Sequence, residues 1–148
     1  MRDHVALRAS RALLVFAGLL FAAHAEPAGA QTMQRVSMTS DSSTYRADAA
    51  RQIYATYDGN IYKGMLPPLV HAIVVVEAEV DAVGNVRGIR VVRSPSHAPE
   101  VTDDVKRMIS RASPFPAPGD AAGAKFTEVW LVDHSGRFQL HTLTEGQR

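Results

Sequence analysis

The sequence predicts an α+β domain, an antiparallel sheet of three or four strands with two helices on one face, and three observations carry that expectation. Residues 69–81 (LVHAIVVVEAEVD) place Val70, Ala72, Val74, Val76, Ala78 and Val80 at alternate positions, the period of a strand with one face on a core. Residues 86–93 (VRGIRVVR) repeat that β-branched character after a turn in which Gly84 and Asn85 accept positive φ, so the two runs read as a hairpin. Val101, Val105, Met108, Ile109 and Ala112 fall at i, i+4, i+7, i+8 and i+11, the apolar stripe of an amphipathic helix. A buried helix through the valines competes for the first run and is disfavoured, because β-branched side chains crowd a helix.

Composition sets the bounds. A chain of 148 residues is enough for one domain. With 46% apolar and 21% charged residues it is an ordinary globular chain, and without cysteine its stability must come from a packed core. Three of the 16 Lys and Arg and two of the 15 Asp and Glu precede Gln31, leaving 13 of each beyond it. That balance leaves no basic stripe for a nucleic-acid partner.

Residues 1–30 read as a secretory signal peptide, with a short membrane anchor as the alternative. Arg2, Arg8 and Arg11 precede the apolar residues 12–23 (ALLVFAGLLFAA), and small-residue patterns follow at Ala23-His24-Ala25 and Ala28-Gly29-Ala30. Twelve helical residues reach about 18 Å, short of a hydrocarbon core of about 30 Å, which favours cleavage over anchoring. Residues 31–43 are polar and lack periodicity, and are expected to form a flexible leader. The folded domain is expected over residues 44–148.

Within that domain, Tyr45, Ala49, Ile53 and Tyr57 recur every fourth position and predict a helix capped by Ser43 or Thr44. Gly59 and Asn60 are expected to end it in a left-handed cap. The four tyrosines 45, 54, 57 and 62 suit packing with their hydroxyls at the surface, in preference to an aromatic box for a sugar or a choline-like cation. Arg87, Arg90 and Arg93 on the second strand are expected to pair across to Glu77 and Glu79 in preference to gripping an anion. Pro99 suits the first turn of the second helix, with Glu100, Asp103 and Asp104 early and Lys106, Arg107 and Arg111 late. Residues 113–119 (SPFPAPG) form a rigid connector with Phe115 turned inward as a plug. Residues 125–133 (KFTEVWLVD) predict a third strand, with Phe126, Trp130 and Val132 on one face and Val129 and Leu131 on the other. His134-Ser135-Gly136 makes a turn, and residues 137–143 (RFQLHTL) a fourth strand with Phe138 and Leu140 on one side.

Catalytic signatures are absent from the sequence. It contains no cysteine nucleophile, no Gly-rich phosphate loop and no Gly-x-Ser-x-Gly elbow. His134 and His141 beside Asp133 lack the spacing of a metal pair, and Ser96, His97 and Asp103 lack the convergence of a triad. No enzyme activity, cofactor or metal is expected.

The order helix, hairpin, helix, strand resembles the C-terminal domain of TonB-type energy transducers. Three stretches carry the likeness: VVEAEVDAVGNVRGIRVVRSPSH (residues 75–97), VTDDVKRMISRASPFPAP (101–118) and FTEVWLVDHSGRFQL (126–140). The resemblance covers roughly residues 45–143. It implies a periplasmic module that binds the TonB-box peptide of an outer-membrane transporter, or another envelope protein, by adding it as a strand. The residues it points to are Phe126, Thr127, Glu128, Val129, Trp130, Leu131 and Val132. A structural homodimer with no transport role, joined edge to edge or through the apolar odd face of the first strand, is the alternative.

Overall fold

The computed structural model describes residues 42–147, so the signal-peptide expectation and most of the leader lie outside the described residues. The elements are α1 (Ser42–Thr56), β1 (Ala72–Val80), β2 (Val86–Arg93), α2 (Pro99–Arg111), β3 (Ala124–Val132) and β4 (Phe138–Leu140). The strands form one antiparallel sheet in the order β2-β1-β3-β4. Among the described residues no helix is long and apolar enough to cross a membrane.

The alternation read in residues 69–81 determines which face of the sheet is roofed. Ala72, Val74, Val76, Ala78 and Val80 are all buried, and both helices pack on that face. Tyr45, Ala49 and Ile53 descend from α1, Val105 and Ile109 from α2, and Phe126, Trp130 and Val132 rise from β3 to meet them. Phe115 plugs the end of this core against the Phe126 ring, with centroids 5.3 Å apart. The strand begins three residues later than its apolar run, and Leu69, directly after Pro67 and Pro68, is 84% exposed.

Several local expectations need correction. α1 starts at Ser42, so the last two leader residues are helical. It is not closed by a left-handed glycine: Asp58–Asn60 form a 3₁₀ turn, and Gly59 is not among the glycines with positive φ. The tyrosine hydroxyls do not simply point to water. Tyr45 donates to the Pro116 carbonyl (2.9 Å), Tyr57 donates to the Met108 carbonyl (3.1 Å), and the Tyr54 oxygen accepts the Leu140 N–H (3.0 Å). These bonds and one from Gln52 Nε2 to the Ala112 carbonyl (3.3 Å) join α1 and Tyr57 just beyond it to the C-terminal end of α2, to the connector and to β4.

The fourth strand is also shorter than read. It holds Phe138–Leu140 and then turns into a 3₁₀ segment, His141–Leu143. Its outer edge is closed by residues 61–66, through a parallel bridge of Ile61 to Phe138 and a bond from the Tyr62 N–H to the Phe138 carbonyl (2.9 Å). Gln139, buried on the outer face, fastens this segment by donating from Nε2 to the carbonyls of Tyr62 (2.9 Å) and Gly64 (2.7 Å). The polar tail is held too: Gln139 Oε1 accepts from the Thr144 hydroxyl and the Glu145 N–H, and Leu66 bridges Gln147.

Candidate functional site

β3 is paired with β1 along its whole length, from Ala124 opposite Val80 to Val132 opposite Ala72. On its other side it meets β4 only at Trp130, Leu131 and Val132. The seven residues singled out from the sequence therefore divide into two groups. Trp130, Leu131 and Val132 have strand partners on both sides and are closed to a further strand. Phe126, Thr127, Glu128 and Val129 have a strand partner on one side only.

Side chains divide the same strip by face. Phe126, Glu128, Trp130 and Val132 stand on the core face, opposite the buried even-numbered residues of β1. Thr127, Val129 and Leu131 stand on the outer face. Glu128 is thus a carboxylate in the core, 2% exposed. Its Oε1 accepts the N–H of Val129 (2.9 Å) and of Thr142 (3.3 Å), while Oε2 has no hydrogen-bond partner among the described residues. Because the chain leaves the edge after Leu140, this side chain takes the place of the missing strand at Val129. At the other end, Ser43 and Arg46 from the first turns of α1 lie beside Lys125, Phe126 and Thr127 around a shallow recess. The open stretch is bounded by Glu128 at one end and by Arg46 and Lys125 at the other.

β2 is the second free edge, and it is guarded. Its ladder with β1 breaks register between Val75 and Val76 and again between Glu79 and Val80, and such irregularities twist an edge away from new partners. Arg90 Nε donates to Glu77 Oε1 (3.2 Å), and this bond holds the Glu77 carboxyl below the usual range. Arg87 pairs with Asp81 (2.7 Å). Glu79, expected to meet an arginine of β2, pairs instead with Lys125 of β3 (3.4 Å), its neighbour across the other ladder.

The histidines gather in an arrangement that sequence spacing did not show. His134 lies against His71, ring centroids 4.6 Å apart, and His71 lies 5.6 Å from His97. His97 Nε2 donates to the His71 carbonyl (2.7 Å), so that ring is committed to a loop contact and not to Ser96 or Asp103. Three loops, before β1, before α2 and between β3 and β4, deliver these rings to one end of the sheet. No local pattern encodes that meeting. Among the described residues no group of three or more His, Asp or Glu is placed to hold a metal ion.

Comparison of the chain with known protein families, with curated proteins and with solved structures finds no match.

Proposed function

We propose that the chain is a TonB C-terminal-like protein-binding module of the periplasm, associated with TonB-dependent transmembrane transport, which captures an extended partner peptide by strand addition. The observation that carries this reading is the half-open edge of β3 at residues 126–129. The Thr127 N–H on that edge is free for an incoming peptide, which would take up the Val129 N–H by displacing the Glu128 carboxylate, and alternating side chains supply specificity. The free edge of β2 is the poorer acceptor, since its register breaks and arginines oppose a flat partner. The sequence resemblance supplies the class of partner, a TonB-box peptide, and residues 1–30 supply the route out of the cytoplasm. The reading assigns no catalysis and no cofactor.

The test is a titration of ¹⁵N-labelled protein with TonB-box peptides, followed by NMR. Shift changes are expected at residues 125–129 and not along β2. Millimolar peptide that leaves residues 125–129 unmoved overturns the reading. The N-terminal residue of the protein recovered from cells tests export with cleavage. A structural homodimer is the second reading, favoured by Val91 and Val92, which are 36% and 50% exposed on the free strand β2. Sedimentation at several concentrations separates the two, because a strictly monomeric species removes the dimer.

A further inference from the structure

A cleft of about 390 Å³ lies between α2 and the β3–β4 hairpin, away from the open edge of β3. That volume falls in the range of small-ligand sites, which join an apolar lining to a few polar groups. Val105, Met108, Trp130 and Phe138 line it with apolar surface. Its polar wall carries two carboxylates and two guanidiniums, and they are not partnered alike. Asp104 is neutralised by Arg107, its neighbour one turn on. Asp133 turns its carboxylate to the Ser135 N–H (3.0 Å) within its own turn. Arg111 forms no ion pair among the described residues, and it shares this lining with His71 and His134. The indole N–H of Trp130, buried in the wall, has no acceptor among the described residues.

We propose that this cleft binds a small carboxylate with an apolar tail, its charge met by Arg111 with His71 and His134 alongside, its tail lying on Val105, Met108 and Phe138. The one guanidinium of the lining outside an ion pair among the described residues selects the class. An unpaired guanidinium and donor-bearing rings favour an anion, and the apolar lining favours a hydrocarbon body over inorganic phosphate. An oxygen-bearing ligand also brings into the cleft the acceptor that the indole lacks.

Trp130 is the single tryptophan of the chain, so its fluorescence reports on the wall of this cleft. The purified protein is titrated with octanoate and, separately, with 1-octanol. Octanoate is expected to change the emission saturably and to bind more tightly than the alcohol. Arg111→Gln, at an exposed position, is expected to weaken octanoate about ten-fold, the loss typical of one charge-assisted hydrogen bond, with the circular dichroism unchanged. No saturable response, equal affinity for acid and alcohol, or an unaltered Arg111→Gln affinity each overturns the proposal. Should the variant fold poorly, NMR shifts of the native protein with octanoate decide: changes at residues 101–111 and 130–136 support the site, and changes confined elsewhere overturn it.

Discussion

The Tyr45 hydroxyl donates to the Pro116 carbonyl at 2.9 Å and so ties α1 to the proline-rich connector 71 positions away. Burial first, then the negative charges of Asp48 and Asp81, push the Tyr45 phenol up to about 12. A folded value above the unfolded one means the contribution is whole below about pH 10 and is lost as pH climbs towards the folded value. Urea unfolding at rising pH is therefore expected to show falling stability between about 10 and 12. Tyr45→Phe is expected to abolish that component and to cost about 1 kcal/mol at neutral pH, the worth of one buried hydrogen bond.

Two glycines are expected to resist replacement, and a third to tolerate it. A Cβ at Gly84 (φ +91°) would lie 1.9 Å from the Phe115 carbonyl oxygen, and one at Gly123 (φ +84°) would lie 2.0 Å from the Val80 oxygen. Both neighbours are backbone and cannot rotate aside. Gly136 has the same sign of φ (+78°) with nothing within 4 Å. Thermal unfolding should therefore show Gly84→Ala and Gly123→Ala losing more than about 2 kcal/mol, and Gly136→Ala only about 1 kcal/mol of conformational strain.

Glu128 substitutions separate its role as an acceptor from its charge. Glu128→Ala strands the N–H groups of Val129 and Thr142, and chemical denaturation is expected to register a loss of about 1–3 kcal/mol. Glu128→Gln keeps an oxygen for both donors and removes a buried charge whose second oxygen is unpaired, so its loss is expected to be smaller. Equal losses for the two variants would contradict this account.

Asp133 makes the β3–β4 turn acid-sensitive. Hydrogen bonds from Ser135, first its backbone N–H and then its side chain, hold the Asp133 carboxyl below the usual aspartate range. A depressed carboxylate stabilises fully above its unfolded value, near pH 4, and the contribution is lost as pH falls through the lower folded value. Stability measured down to pH 2 should therefore fall more steeply in the native protein than in Asp133→Asn.

Thr127→Pro tests the open edge directly. The Val129 N–H points away from β1, towards the Glu128 carboxylate, and N–H directions repeat every second residue, so the Thr127 N–H faces the same open side. Proline there removes a donor that β1 does not use. Peptide-induced shifts at residues 125–129 are expected to vanish while the β1–β3 amide signals persist. Undiminished peptide binding by this variant would remove the strand-addition reading.

Periodicity alone marked out the main architecture. The alternating residues of 72–80 and the stripe from Val101 to Ala112 assigned both elements and the faces they bury, because period and burial share one physical cause. The candidate strip on β3 was legible as a strand, and its two faces were assigned correctly. Its length as a free edge was not, since that depends on where β4 stops. Nothing in RFQLHTL announces that Leu140 ends a ladder and His141 begins a 3₁₀ turn; the Glu128 carboxylate that accepts the Thr142 N–H comes from another strand.

What the residues by themselves determined was local: β1, β2 and β3, α2, the turn at Gly84 and the inward plug of Phe115. Only the tertiary structure decided the partners, namely Lys125 for Glu79, Pro116 for Tyr45, His71 for both His97 and His134, and the half-covered flank of β3. Backbone period and turn chemistry act over a few neighbouring residues. A contact between loops 26 or more positions apart exists only once the sheet has set its register and brought their ends together.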